Sequence, residues 1–284
     1  MIWSIPKEVL IVGVVIITLV VLIGMSALVS RLFVRRHITA LLSSIGKQSL
    51  PNFNQALVAT LPVPVQRYFH YALREGQPNI RYAILRQEAV FRHSPGSPWF
   101  DVRATEYISG MEPGFVWDAV LQHHRLFWRT AKLTYHEGRG SGHIKLCGAL
   151  SLQDVEGEET DASMLFRFLC ELVWLPTGLL PTRTLRWEEI DATSARAIIT
   201  DEGTTVQAIV HINSIGQIER IVTTDKYRDL KSGFEQHQFT LKCREYKEVE
   251  GVMIPTAVDF AWNLAHGEFE YGKFNVTGVR YFYS

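Results

Sequence analysis

LCELVWLPTGLLPTRTLRW, residues 169–187, is the segment that decides the fold of this chain. It continues a helical pattern, because apolar side chains recur at helical spacing from Met164 to Leu172. Pro176 ends that pattern, since the residue before a proline avoids helical backbone angles. The chain then stays apolar up to Pro181, although it cannot run on as regular helix or central strand. Such a segment must cover another apolar surface to be sheltered from water.

Beyond Ile80 the apolar pattern has a period of two, which is typical of half-buried antiparallel strands. Four runs show it clearly: residues 100–104, 115–121, 206–212 and 256–262. Turn residues separate the runs, and about ten to twelve strands result, too regularly spaced for α/β units. We therefore expect an α+β fold that is mainly antiparallel, with one large curved sheet that forms an open or half barrel.

One long helix interrupts the strands, and we predict it over residues 161–174. Thr160 or Asp161 can cap its N-terminus. Arg167 and Glu171 pair at i, i+4 on the side opposite the apolar stripe. The stripe consists of Met164, Leu165, Phe168, Leu169, Leu172 and Val173. We expect this helix and its Leu-Pro tail to lie across the open side of the sheet as a plug.

An uncharged apolar run begins at Val9 and ends at Ser30. Its length of about 22 residues gives roughly 33 Å of helix, enough to cross a bilayer. A signal peptide is the alternative, but its apolar region has only about 7 to 15 residues. The run therefore predicts a single transmembrane helix, with the lipid bilayer as its partner.

Basic residues flank this run unequally. Arg31, Arg35 and Arg36 follow it, whereas only Lys7 and the amino terminus precede it. Cytoplasmic flanks carry the excess of basic residues, so the charges place the rest of the chain in the cytoplasm. We predict a single-pass protein of the cell membrane with a cytoplasmic C-terminal domain.

The chain divides into three predicted parts. Residues 1–36 form the anchor and its basic flank, residues 37–60 a connector, and residues 61–284 the curved-sheet domain. The domain starts with a short helix in which Pro64 suits the first turn and Gly76 follows the end. Its apolar face consists of Val65, Tyr68, Phe69, Ala72 and Leu73.

Charge and cysteine content exclude several classes of function. The 29 basic and 29 acidic residues balance, so no general attraction to nucleic acid is expected. Three widely spaced cysteines without a CxxC pair argue against a disulfide framework or a cysteine-rich zinc site. Nothing in the sequence identifies a cofactor or a protein partner. The nearest approach to a metal cluster matches no standard zinc spacing and consists of His123, His124, His136, Glu137, His143 and Cys147.

Polar motifs for catalysis are weak. The sequence GRGSG, residues 138–142, lacks the Lys-Ser/Thr of a phosphate loop and predicts a hairpin turn. Glu188 and Glu189 point to opposite faces of a strand, so at most one can join a concave site. The chain has no G-x-S-x-G elbow and no dinucleotide fingerprint.

Aromatic residues are better candidates for a site, because indole and phenol groups line many apolar pockets while they place a polar tip. The alternative is that the same residues only fill a large core. The hypothetical pocket lining consists of Trp117, Phe168, Leu172, Leu179, Trp187, Tyr227, Tyr246 and Trp262.

Several motifs occur in an order that resembles a bacterial family known as domain of unknown function 6544. They are LPVPVQRYFHYAL, PGFVWDA, WLPTGLLP followed by RWEEID, SARAIITDEGTTV and YKEVEGVMIPTAVDFAW, and the similarity extends from Leu61 to Tyr283. The resemblance implies no catalytic residues. The hairpin over residues 246–260 is also similar to hairpins of the lipoprotein-carrier half-barrels, in which helices close an apolar concavity that receives acyl chains.

Three hypotheses for function remain open at this point. The first is a membrane-tethered module that binds an apolar or lipid-like ligand in the half-barrel. The second is an enzyme with a polar site in the same concavity, in which Arg186, Glu188 or Tyr227 takes part. The third is a scaffold for a protein partner. A ligand that co-purifies with the protein separates the first hypothesis from the others.

Overall fold

A computed structural model describes residues 6–46, 51–122, 128–230 and 233–284. Its three α-helices are α1 (Lys7–Ser44), α2 (Val63–Ala72) and α3 (Glu158–Glu171). Short 3-10 helices lie at Gln55–Val58, Leu172–Trp174 and Pro176–Leu179. The strands are β1 (Ile80–Phe91), β2 (Phe100–Ser109), β3 (Gly114–Gln122), β4 (Trp128–His136), β5 (Arg139–Leu146), β6 (Leu150–Val155), β7 (Leu185–Glu189), β8 (Ser194–Asp201), β9 (Thr204–Ile212), β10 (Ile218–Thr223), β11 (Tyr227–Leu230), β12 (Gly233–Gln236), β13 (Gln238–Val249), β14 (Val252–Leu264) and β15 (Gly267–Tyr283).

Thirteen strands form one antiparallel sheet in the order β6-β5-β4-β3-β2-β1-β15-β14-β13-β10-β9-β8-β7. The sheet curls into a half barrel, and β11 and β12 form a separate hairpin. The predicted fold class is therefore confirmed. The described residues hold more strands than the ten to twelve expected, because β6 and β12 are exposed along almost their whole length and so lack the alternation that marks a strand.

The strand ends and turns form two rims of the half barrel, which are called the upper edge and the lower edge. The upper edge carries the end of β1 at Phe91, the start of β15 at Gly267 and the turn between β5 and β6 at residues 147–149. The lower edge carries the start of β1 at Ile80 and the end of β15 at Tyr283.

Helix α2 and the 3-10 helices close the lower edge. The predicted apolar face of α2 is buried as expected, and Pro64 lies in its first turn. The ring centroids of Tyr71 and Tyr246 are 5.7 Å apart, which joins α2 to β13. The backbone N–H of Ile80 donates to the Thr177 hydroxyl at 3.0 Å, which joins β1 to the second 3-10 helix.

Helix α3 and its proline-broken tail lie on the concave face, as the sequence predicts. Leu165, Phe168 and Leu172 are buried in the main core, and Leu179 of the tail is buried with them. The helix starts earlier than predicted, at Glu158, because Gly157 with φ 113° turns the chain into it. Asp161 therefore does not cap the helix, and its carboxylate accepts from the backbone N–H of Gly140 at 2.6 Å.

The GRGSG segment is only partly the turn that we predicted. Glu137 and Gly138 form the turn with φ of 50° and 75°, and β5 already begins at Arg139. Gly140 lies inside β5 because α3 crosses it closely. A Cβ atom at this position would stand 2.9 Å from the Cβ of Met164, so only glycine lets the helix approach the strand.

Helix α1 has two distinct parts. Its first part is exposed, apolar and 18 residues or more in length, as in a membrane-spanning helix or a signal sequence. Its second part packs on the convex face, where Val34 and Leu41 are buried against Val116. The helix therefore continues through the basic flank and the first third of the predicted connector, as far as Ser44.

Candidate functional site

A cavity of about 210 Å³ lies between α3 and the concave face of the sheet. Six strands contribute to its wall because alternate side chains of each strand point to this face. Apolar side chains form most of the lining, and they are Phe91, Trp117, Leu133, Met164, Phe166, Trp174, Phe239, Phe260, Tyr271 and Phe274. Four polar side chains complete it, and they are Arg167, Cys170, Glu171 and Lys226.

Aromatic contacts hold the sheet side of the cavity. The rings of Phe260 and Phe274 meet edge to face with centroids 5.0 Å apart. Tyr271 stacks on Phe260 at 6.3 Å and on Trp262 at 6.0 Å. Such pairs stabilise by about 0.5–1.5 kcal/mol each beyond the burial of their area. The wall is therefore largely preformed.

A buried ionic cluster lies at one side of the cavity. The Arg167 guanidinium donates to Glu171 through Nε and to Oε1 of Glu106 through Nη2, the latter at 3.3 Å. Glu106 is fully buried, and the side chains of Glu171 and Arg167 are 5% and 17% exposed. Two carboxylates thus share one cation away from bulk water. Such a pairing is costly to break, because the remaining charge stays buried.

Hydrogen bonds connect this cluster to the aromatic wall. The Trp117 indole N–H donates to the amide oxygen of Gln87 at 2.9 Å, and the Gln87 amide nitrogen donates to Glu106 at 2.7 Å. The Arg167 guanidinium also lies over the Trp117 ring, 4.7 Å from its centroid. Trp117 is therefore held in place on two sides while its ring lines the cavity.

Burial and the neighbouring Glu171 carboxylate raise the pKa of Glu106 well above its ordinary value, although Arg167 opposes the shift. Burial also raises the pKa of the Cys170 thiol and of the Tyr271 hydroxyl. A thiol with a raised pKa is a poor nucleophile, because the thiolate is the reactive form. These groups are suited to binding rather than to covalent chemistry.

Lys226 is the remaining polar group of the wall. Its ammonium lies 5.1 Å from the ring centroid of Phe239 and 5.7 Å from that of Phe166. Among the side chains that the structure describes, no carboxylate forms an ion pair with its Nζ atom within 4.0 Å. Burial lowers the pKa of Lys226 to about 8, and Arg167 adds to the shift. The Glu171 carboxylate in the same wall partly opposes this shift, so Lys226 is a cation without a close ion-pair partner among the described side chains.

The structure places one of the predicted pocket residues, Trp117, in the wall of the cavity. The others lie elsewhere in the core. Phe168 and Leu172 belong to the stripe of α3 that packs on the sheet, whereas the cavity meets the neighbouring stripe with Arg167, Cys170 and Glu171. The same helix thus uses two faces. The apolar periodicity identifies the first face, and of its predicted residues Met164 also lines the cavity.

The remaining predicted residues have structural partners of their own. The Trp187 indole N–H donates to the carbonyl of Leu179 at 3.0 Å, and the Tyr246 hydroxyl to that of Ile218 at 3.0 Å. The Trp262 ring stacks on the ring of Tyr271. Tyr227 lies next to Lys226, and its backbone N–H donates to the Ser163 hydroxyl at 3.1 Å. A binding role for these side chains stays a prediction.

The polar candidates outside the cavity have ordinary surface partners. The Glu188 carboxylate is half exposed and lies 3.6 Å from Arg186 and 3.7 Å from Arg196. His143 pairs with Asp154 at 2.7 Å rather than with His136 across the hairpin. His123 and His124 lie outside the described residues. Within the described ranges, no three histidine, cysteine, aspartate or glutamate side chains are grouped as metal ligands.

Solved structures of similar shape include proteins of the lipoprotein-carrier type expected from the sequence. A LolA superfamily protein from Nitrosomonas europaea is 13% identical with a TM-score of 0.41, and the match covers 76% of this chain and 91% of that one. A DUF1329 family protein from Desulfovibrio piger is 11% identical with a TM-score of 0.44, over 78% of this chain and 94% of that one. Likeness at this level carries no information on function.

No curated protein is detectably similar to this chain. A family model does match it, over residues 51–274, which comprise nearly all of the half barrel with α2 and α3. The match agrees with the family resemblance of the sequence motifs. The chain belongs to the family of unknown function DUF6544.

Proposed function

We propose that this protein is a membrane-anchored binding module whose half-barrel takes the apolar chain of an anionic, lipid-like ligand. The observation that carries the proposal is the aromatic cavity whose wall holds the Lys226 ammonium, which has no close ion-pair partner among the described side chains. Each methylene that enters such a cavity contributes about 0.8 kcal/mol, so a handful offsets the ordering cost of binding. At about 210 Å³ the cavity is below the roughly 300–1,000 Å³ of drug-sized sites, which favours a single chain end.

The anchor is the first part of α1. As proposed from the sequence, the span runs from Val9 to Ser30, and the basic flank holds the domain on the cytoplasmic side. The exposed apolar surface of this helix supports the proposal, since an unburied helix of this composition needs an apolar solvent. The ligand site is then tethered at a fixed distance from lipid.

The full-length protein is expected to stay in the membrane fraction after alkaline carbonate washing, because an apolar span is not removed by high pH. A reporter fused after Ser284 is expected to behave as cytoplasmic. Western blotting of the washed pellet and supernatant measures the first outcome. Recovery of the full-length chain in the supernatant contradicts the anchor, and an active periplasmic reporter contradicts the orientation alone.

Met164→Trp is expected to weaken binding of an anthroyloxy-labelled long-chain fatty acid at least about tenfold, since the larger side chain excludes about two methylenes from the cavity. Met164 is half buried and lines the cavity, so the indole has empty space to enter. Fluorescence titration of the full chain in a nonionic detergent measures the affinity. Organic extraction of the purified protein, followed by mass spectrometry, then identifies the natural ligand.

The matched control is Met253→Trp. Met253 is also half buried, but it lies between the core residues Val252 and Ile254 on β14 and therefore points to the convex face. This variant is expected to bind the probe as the wild type does. Equal affinity of the wild type and Met164→Trp, or no binding by a wild-type chain with an intact near-UV spectrum, contradicts the carrier function.

An enzyme with a polar site in the same concavity is the second candidate. One observation favours it: burial brings the pKa of Lys226 to about 8, close to the range in which a lysine acts as a base or nucleophile. The side chains of Cys170 and Glu171 line the same space. Chemical change of a bound ligand on incubation with the wild type, and its absence with Lys226→Met, separates this candidate from a carrier.

A further inference from the structure

Helix α1 runs along the convex face in a definite direction. The Ser26 hydroxyl donates to the carbonyl of Gly148, which lies in the turn at the upper edge. The Ser44 hydroxyl lies 2.8 Å from Nε2 of His136, which ends β4 at the lower edge. Between these two contacts Leu41 is buried against the sheet. The apolar residues before Ser26 therefore project beyond the upper edge.

The wall of the cavity reaches toward this same edge. Its half-buried wall residues include Phe91, Phe260 and Tyr271, which belong to the upper ends of β1, β14 and β15. Trp174, at the other end, is 1% exposed, and its carbonyl accepts from the Tyr281 hydroxyl at 2.7 Å. Because α2 and the 3-10 helices close the lower edge, access to the cavity is from above.

Large apolar side chains are exposed on the upper side of the outer strands. Leu150 is 63% exposed at the turn next to Gly148, Leu152 is 45% exposed, and Trp128 is 38% exposed where β4 begins. The backbone N–H of Cys147 donates to the Trp128 carbonyl at 2.8 Å, so these residues share one corner of the sheet. Exposed apolar groups that cluster next to a membrane helix mark a contact surface, and tryptophan favours the interfacial zone.

We propose that the upper edge of the half-barrel rests on the bilayer that holds α1, with Trp128, Leu150 and Leu152 in the interfacial layer. The cavity then opens toward lipid, and a chain can pass between bilayer and cavity without crossing bulk water. This placement rests on the membrane span of α1 and does not depend on whether a ligand is bound. The surface at this corner then contacts the bilayer, because the hydrogen bond from Ser26 to Gly148 holds the corner next to the membrane span.

The test compares two probe positions in the full chain reconstituted into phosphatidylcholine vesicles. Leu150→Cys and Ile215→Cys are each made in a Cys147→Ser background and labelled with an environment-sensitive nitrobenzoxadiazole group. The two side chains are matched in exposure, 63% and 61%, but Ile215 lies in the turn after β9 at the lower edge. Cys170 and Cys243 are buried and do not take the label.

The expected result is a blue-shifted emission at position 150 that loses most of its intensity when the vesicle lipids carry bromine on their acyl chains. The emission at position 215 is expected to remain that of an aqueous probe. Equal emission at both positions, or a blue shift at 150 without bromine quenching, overturns the proposal, and the latter result indicates a protein partner at this corner. Quenching at 150 together with failure of fatty-acid binding leaves the placement standing and removes only the ligand-binding function.

Discussion

Replacing Arg167 with methionine is expected to lower the free energy of unfolding by about 3–5 kcal/mol at neutral pH. The change leaves the carboxylates of Glu106 and Glu171 without their shared cation, and Glu106 is fully buried. It also removes the guanidinium from above the Trp117 ring. Urea titration of the full chain in detergent, followed by far-UV circular dichroism, measures the difference in stability from the wild type.

The loss of unfolding free energy in Arg167→Met is expected to depend on pH. The folded-state pKa of Glu106 is already raised by burial and by Glu171, and Arg167 is the strongest influence that lowers it, so the variant raises it further. A carboxyl group whose pKa is raised on folding adds stability below its unfolded pKa and loses it as the pH rises through the folded value. The deficit should therefore be small in acid and grow toward neutral pH.

Two controls test whether the loss of stability in Arg167→Met comes from the buried charges. The double variant Arg167→Met with Glu106→Gln removes the buried charge together with its partner, so it is expected to recover part of the stability and to flatten the pH dependence. Arg183→Met removes an arginine that is 85% exposed and 3.8 Å from Glu112, and its effect is expected to stay within about 0.5 kcal/mol. A similar loss in Arg167→Met and Arg183→Met contradicts a buried cluster.

The half-barrel could be predicted from the sequence because several of its strands alternate apolar and polar side chains. In β2, for example, the burial of Phe100, Val102 and Ala104 follows the period of two. The plug was predictable because its apolar residues recur at helical spacing up to the break before Pro176. The α-helix itself ends at Glu171, earlier than predicted, and a 3-10 helix follows at Leu172–Trp174. Both features depend on local patterns, which a single sequence records directly.

The site could be predicted only in part, because its polar members look like surface residues in the sequence. Arg167 and Glu171 form the i, i+4 pair that was predicted, but the face opposite the apolar stripe meets a cavity instead of solvent. The signal that identifies them is the position of a charged pair on a helix predicted to plug a sheet. Their partner Glu106 could not be assigned, since its burial depends on strand pairing far along the chain.

Lys226 was not predictable for a related reason. It lies in the irregular segment between β10 and β11, where no periodicity indicates which way a side chain points. Its surroundings come from Phe166 on α3 and Phe239 on β13, which are close to it only in the folded chain. A lone lysine in such a segment is normally a solvated one.

Lys226→Met is expected to weaken the binding of a long-chain alkyl sulfonate by about 2 to 3 kcal/mol, or roughly 30- to 150-fold. Methionine keeps the apolar stem of the side chain, so the variant removes the charge but little of the packing. Displacement of the anthroyloxy-labelled probe measures the change. The wild-type affinity for the sulfonate is also expected to fall as the pH rises through about 8, because burial sets the lysine pKa there and the sulfonate keeps its charge.

The matched ligand for this test is a long-chain alcohol of the same chain length. It has no charge, so its affinity is expected to be equal in the wild type and in Lys226→Met, and independent of pH over the same range. Lys242→Met serves as the protein control, because Lys242 pairs with Glu268 at 2.6 Å and does not line the cavity. If the sulfonate and the alcohol respond alike to Lys226→Met, the lysine is part of the wall without being a charge partner, and the ligand is to be sought among neutral lipids.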